Sequence, residues 1–234
     1  MDRRHFVKLC AGSALATLLA RQTPAFSGEI KTFPAATLVD AHGDPLKASR
    51  ASPQEAMVFA YPFAGIPCFL INFGSHGAKT QALTAPDGTS YTSPAPVGPE
   101  RNLVAFVAIC THQMSHPTPD ASVIHYASAA TATADQPGRI VCCAHHSVFD
   151  PASGGAKVSG PAPSPLLPVQ LACDAETGVL QATGTVDVEF FERFFDDFKE
   201  DLIDRFGPGG YRKPVGGMTK AVLLSEYSRV VADC

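Results

Sequence analysis

Turn-forming residues interrupt this sequence so often that long helices are disfavoured over most of its length. From Thr32 to about Gly184 the chain runs in short apolar or alternating segments, each bounded by Gly, Pro, Asp or Asn. That is the pattern of half-buried strands joined by tight connections. The clearest are "AMVFAYP" (56–62), "IPCFLINFG" (66–74), "LVAFVAI" (103–109), "RIVCC" (139–143), "LPVQLACD" (167–174) and "VLQATGTV" (179–186). "DAETG" (174–178) reads as the hairpin connection between the last two. With twenty prolines, nineteen glycines and no tryptophan, an all-β fold is expected rather than a helix bundle. Hydrophobic residues make up 45% of the 234 and charged residues 17%, which suits one folded domain with extensions and not a disordered chain.

The periodicity changes near Asp187. In "DVEFFERFFDDFKEDLIDRF" (187–206) Phe191, Phe194, Phe195, Phe198, Leu202 and Phe206 recur at spacings of three and four with charged residues between them. This predicts an amphipathic helix with Asp187 as N-cap and Gly207 as stop. An aromatic stripe of this kind packs a core more often than it docks a partner. "GPGGYRKPVGG" (207–217) reads as a linker and 219–234 as a short last helix. "ASAATATADQ" (127–136) reads as a mobile surface loop.

The first residues, with Arg3, Arg4, Phe6 and Lys8 ahead of an uncharged run from Leu9 to Ala20, resemble a twin-arginine export signal. Twelve uncharged residues fall short of the roughly 20 that a membrane span needs. Export is therefore expected, with cleavage after Thr23-Pro24-Ala25 or retention of the signal as a short tether to the inner membrane. The organisation is then 1–27 as signal, 28–186 as the β domain and 187–234 as a helical C-terminal extension. A net charge of −4, with no basic run beyond the N-terminus, gives no footprint for nucleic acid.

Two short stretches concentrate the chemistry. "CTHQMSH" (110–116) and "CCAHHSVFD" (142–150) together hold three of the seven cysteines. Cys110-Thr-His112 sets a thiolate and an imidazole two apart, and Cys142-Cys-Ala-His145 sets another such pair three apart. Neither stretch can close a four-ligand site alone, but together they offer two sulfurs and two imidazoles. Zinc would accept that set, although structural zinc sites usually draw like ligands from each arm. One Cys and one His per arm is the supply for a 2Fe-2S cluster in which two thiolates hold one iron and two imidazoles the other.

On these residues the chain resembles Rieske iron-sulfur proteins, whose boxes are C-x-H and C-x-x-H followed at fixed distances by Ser and an aromatic. Cys110, His112, Cys142 and His145 match the metal ligands, and Ser147 and Phe149 match the later positions. Gly160-Pro161-Ala162-Pro163 resembles the segment that covers the cluster in the respiratory branch. The similarity runs over about residues 100–185. It implies an antiparallel β-sandwich with inserted cluster loops and one 2Fe-2S cluster per chain. The respiratory branch joins its loops by a disulfide, but the corresponding positions here are Ser115 and Ala144, so that bridge is absent; the twin-arginine-like start and the short apolar run after it resemble small subunits of arsenite-oxidase-type molybdoenzymes, which retain or lack the disulfide variably. Ser147 matches a serine whose hydroxyl points at a bridging sulfide, whereas Phe149 stands where high-potential members carry a tyrosine. Cys143 replaces a usual proline and is expected to be a small buried residue. His116, His125 and His146 are expected in structural or solvated roles. Cys68 and Cys173, both in predicted strands, are either bridged or two buried free thiols.

A centre of this kind moves one electron and needs no catalytic residue of its own. The resemblance implies the electron-transfer subunit of an exported, periplasmic or membrane-associated oxidoreductase, with a molybdoenzyme large subunit or a c-type cytochrome as redox partner. Alternatives are the iron-sulfur subunit of a quinol-oxidising cytochrome bc-type complex, a freestanding periplasmic carrier and a zinc-stabilised exported binding module. A ring-hydroxylating oxygenase would need further histidines after the Rieske domain; none occurs after His146. Nucleophilic catalysis by Cys142 or Cys143 would leave Cys110, His112 and the proline segment without a role.

Overall fold

The computed structural model describes residues 30–74, 77–186 and 188–234; the export signal over 1–27 and the Asp187 cap lie outside them. Strand formation follows the turn-bounded segments. The first half supplies β1 (Lys31–Val39), β2 (Met57–Ala60), β3 (Pro67–Asn72), β4 (Ala82–Thr84), β5 (Ser90–Thr92) and β6 (Leu103–Val107). Then come β7 (Ala121–Ser122), β8 (Ile124–Ala127), β9 (Arg139–Cys142), β10 (Ser147–Asp150), β11 (Ala156–Ser159), β12 (Pro168–Cys173) and β13 (Leu180–Thr185). The helices α1 (Val188–Asp197) and α2 (Lys199–Phe206) precede β14 (Gly217–Lys220), β15 (Val222–Leu223), the single turn α3 (Leu224–Tyr227) and β16 (Val230–Val231). The protein is mostly β with a small helical element.

Eight strands form the main sheet in the order β14-β1-β13-β12-β6-β3-β2-β15. All of its pairings are antiparallel except β1 with β14. The sheet curls until β14 lies beside β2, where the Thr219 hydroxyl donates to the Ala60 carbonyl at 2.9 Å and accepts from its N–H at 3.3 Å. A second sheet, β11-β10-β9-β8, packs against one face of the first.

Strand alternation in β6 decides what that second sheet meets. Leu103, Ala105, Val107 and Ile109 enter the main core, which they share with Leu70 and the helix aromatics. Val104, Phe106, Ala108 and Cys110 face the other way, into a second core with Phe69, Ile140, Cys142 and Phe149. Because side chains alternate faces with period two, Cys110 is delivered to the inter-sheet core by the same register that buries Phe106.

The helical region follows the aromatic stripe, with one difference. Phe190, Phe191, Phe194 and Phe195 are buried in the main core, so the stripe packs the protein's interior. The single predicted helix is bent at Phe198, whose φ of −112° and ψ of 22° separate α1 from α2. The backbone bonds continue through the bend, from Phe198 N–H to Phe194 O and from Leu202 N–H to Phe198 O. The bend sets the Phe198 ring edge-on to His116 at 4.7 Å, beside Phe194 at 4.8 Å. Helix α2 stops at Gly207, whose N–H bonds the Ile203 carbonyl.

Two expectations are corrected. Residues 219–234 do not form a helix beyond the single turn of α3: Val222 and Leu223 pair with Val58 and Met57 at the sheet edge, where an open ladder outweighs local propensity. The linker reading of 207–217 misses Tyr211, which is buried, with its carbonyl accepting from Gly65 N–H at 2.8 Å. The small-residue segment 127–136 lies at the surface as expected, exposed at 128–130 and 135–136, with Ala134 buried beside Ala127, Val141 and Val148. The "DAETG" connection forms as expected, with Asp174 Oδ1 accepting from the Glu176 and Thr177 N–H groups. No helix among the described residues is long and apolar enough to cross a membrane.

Candidate metal centre

Cys110 and Cys142 begin two turns of the same construction. Cys110 follows β6, and the Met114 N–H donates to its carbonyl at 2.9 Å. Cys142 ends β9, and the His146 N–H donates to its carbonyl at 2.8 Å. Each turn closes on a residue with left-handed backbone, Met114 at φ 54° and His146 at φ 59°. Within those equal turns the histidines occupy the third position in one and the fourth in the other, which is why the spacings C-x-H and C-x-x-H differ.

The folded chain brings the four residues together as two like pairs. Cys110 and Cys142 are each 1% exposed and interact through their sulfurs. The rings of His112 and His145 meet edge to face with centroids 4.8 Å apart; His145 is exposed and His112 half-buried. His112 Nδ1 is buried and has no hydrogen-bond partner. A buried ring nitrogen without a partner is costly unless something takes its lone pair or proton, and a metal ion would do so. Among the described residues no three His, Cys, Asp or Glu side chains converge to hold a single metal ion.

Polar groups surround the sulfurs crosswise. The Cys142 thiol is pushed down, first by Cys110, then against burial by the Ala144 and His145 N–H groups and the Ser115 hydroxyl. The Cys110 thiol is held up by Cys142 and then by burial, opposed by the His112 N–H and the Ser147 hydroxyl. Each turn thus lends a serine to the other turn's cysteine. The two thiols oppose each other's ionisation, and a metal able to take both sulfurs as thiolates would remove the conflict.

Residues 160–166 close over the cysteines. Ala162 N–H donates to Ser147 Oγ at 3.1 Å, the Thr111 hydroxyl donates to the Ser164 carbonyl at 2.6 Å, and Leu166 N–H donates to the Gly155 carbonyl at 3.0 Å. Ala162 and Leu166 are fully buried in the core that also holds Cys110, Cys142 and Phe149. Gly160 opens this segment with φ +86°, and a Cβ there would lie 2.5 Å from Ser147 Cα. Below the site, Arg139 and Asp150 join β9 to β10 by an ion pair at 2.8 Å.

The remaining cysteines are placed as follows. Cys143 is not a free buried residue: it is disulfide-bonded to Cys234, with Cα atoms 5.7 Å apart. Cys68 and Cys173 are unbridged, Cys68 being buried with its Sγ donating to the Tyr61 carbonyl at 3.1 Å. His116 Nδ1 bonds the Met114 carbonyl, His146 Nδ1 bonds the Thr133 hydroxyl, and His125 lies buried in β8 with Nδ1 3.9 Å from Cys143 Sγ. Sequence reasoning did not identify Ser115 or Thr111 as site residues, and only their place within the first box could have suggested them.

No protein-family model matches this chain, and no curated protein matches it either. Among solved structures it is similar to the soluble domain of the Rieske protein II (soxF) from Sulfolobus acidocaldarius. The two share 25% identity over 65% of this chain and 78% of that one, with a TM-score of 0.48.

Proposed function

We propose that this chain is an exported Rieske-type iron-sulfur protein that passes single electrons, as a subunit of a periplasmic or membrane-associated oxidoreductase. The observation that carries this reading is the sorting of the four donors: sulfur beside sulfur in the core and imidazole beside imidazole at the surface, one of each from either turn. A single zinc ion needs its four donors around one point, whereas here they lie as a sulfur pair and an imidazole pair. Two irons, one held by Cys110 and Cys142 and the other by His112 and His145, use the donors as they are sorted. When bound, a 2Fe-2S cluster supplies reversible one-electron oxidation and reduction.

The chain's own residues set the terms of that exchange. The Ser147 and Ser115 hydroxyls and the N–H groups of His112, Ala144 and His145 face the sulfurs, where they stabilise added negative charge. Phe149 contributes apolar burial but no donor. The exposed His145 and the half-buried His112 give a partner a short approach. We place no bond-making chemistry on this chain. The twin-arginine-like start supports export, and the Cys143–Cys234 disulfide suits an oxidising compartment such as the periplasm. A c-type cytochrome or a molybdoenzyme large subunit fits the role of redox partner.

Purification of the full chain followed by electron paramagnetic resonance tests the reading. The reduced protein should give a signal of low average g-value and contain two irons with two labile sulfides per chain. A colourless, signal-free protein containing zinc would overturn it.

A further inference from the structure

We propose that residues 228–234 form a clasp across the two turns of the candidate metal centre, and that the Cys143–Cys234 disulfide locks it. The clasp holds in place the N–H groups that face Cys142. Its structural part stands independently of the functional reading above; its effect on potential rests on that reading.

The segment is fastened first to the chain leaving the Cys110 turn. The Ser228 hydroxyl donates to the Thr118 carbonyl at 2.6 Å. The Arg229, Val230 and Ala232 N–H groups donate to the Pro119, Asp120 and Ser122 carbonyls, and β16 pairs in parallel with β7. The segment then reaches the Cys142 turn. The Thr133 N–H donates to the Cys234 carbonyl at 2.7 Å, and Cys234 is bonded to Cys143. Cys143 is itself fixed by its N–H to the Val123 carbonyl at 2.7 Å. One short segment therefore ties the exit of the first turn to the body of the second.

This matters because the turns cannot be joined directly. Ser115 and Ala144 have no sulfur to share, so without the clasp the turns meet only through non-covalent contacts. A disulfide linking residues 91 apart in sequence removes open states from the ensemble through the chain entropy it takes away. Its leverage is local. Cys143 lies between Cys142 and the pair Ala144 and His145, whose N–H groups face the Cys142 sulfur. Fixing Cys143 keeps those two donors aimed, and releasing it lets them turn toward solvent. Donors lost from a ligand sulfur disfavour the reduced state.

The test uses the full chain and two variants, Cys234→Ser and Cys143→Ser. Peptide mapping without reductant should recover a cross-linked 143–234 pair from the wild type. In both variants amide hydrogen exchange at Ala144 and His145 should accelerate on the order of tenfold or more, with β3 and β6 unchanged. The midpoint potential should fall in both. Absence of the cross-linked pair, or unchanged exchange at 144–145 in both variants, overturns the clasp. Faster exchange with an unchanged midpoint overturns its positioning role. Faster exchange in a protein that binds no cluster upholds the clasp and sinks the functional reading instead.

Discussion

The rings of His112 and His145 meet edge to face, 4.8 Å between centroids, above a pair of buried cysteine sulfurs contributed by the same two turns. If the four residues hold a metal together, as proposed above, the loss of any one should release it. His112→Ala, His145→Ala, Cys110→Ser and Cys142→Ser should each lower bound iron on the order of tenfold or more, since even supporting residues around metals cost about 10- to 100-fold in affinity. Iron and labile sulfide analysis, with circular dichroism to verify the fold, checks this.

The midpoint potential should respond in opposite directions to two neighbouring substitutions. Rieske centres span about −150 to +300 mV; on the proposed function, with Ser147 present and no tyrosine at 149, the wild type should be positive but below the top of that range. Ser147→Ala should lower the midpoint by removing a hydroxyl from the cysteine sulfurs. It should also destabilise the fold by about 1–3 kcal/mol, because the buried Ala162 N–H loses its acceptor. Phe149→Tyr should raise the midpoint by adding a donor. Protein-film voltammetry measures both, and an unchanged or lower value for Phe149→Tyr would count against the assignment.

Gly160 should tolerate no side chain. Its φ of +86° is unfavourable for other residues, and the added Cβ would meet backbone atoms of His146 and Ser147, which cannot swing aside as a flexible side chain could. Gly160→Ala should cost about 2–4 kcal/mol, combining backbone strain with overpacking. At Gly178, φ is +74° but the space is open, so Gly178→Ala should cost only about 1 kcal/mol. Urea denaturation of both variants gives the comparison.

His116 should make the fold acid-sensitive. Burial holds its pKa below the ordinary 6.5, with Arg205 adding to that effect and the Met114 carbonyl and Asp201 opposing it. A lowered folded-state pKa means that the unfolded chain binds more protons below pH 6.5. The stabilisation is therefore full above that pH and lost as the pH falls toward the folded value. His116→Phe keeps an aromatic ring against Phe194 and Phe198 and should flatten the stability profile between pH 5 and 7.5, as followed by urea denaturation at each pH.

The strands, the Phe-rich helical region and the convergence of the two Cys/His boxes were all legible because each depends on near neighbours. Alternation in "LVAFVAI" puts Cys110 on the face of Phe106. The same alternation in "RIVCC" puts Cys142 beside Ile140 in the inter-sheet core and Cys143 with Val141 in a separate cluster, so the two adjacent cysteines were always destined for different surroundings. The bend at Phe198 was not legible, because it serves a contact with His116 from a distant loop. Nor was the strand character of 219–223, which depends on vacant edges of a sheet built from residues far earlier in the chain.

By itself, then, the sequence determined the β class, the candidate donors and the faces on which Cys110 and Cys142 fall, since two-residue and 3.6-residue periodicities are set by bonded neighbours. Only the tertiary structure decided that Cys143 bonds to Cys234 and not to another thiol, that Ser115 serves the opposite cysteine, and that 228–234 runs from the chain after the first turn to Cys143 in the second. Those pairings join points that are remote along the chain, and which remote points meet is fixed by how the whole core packs.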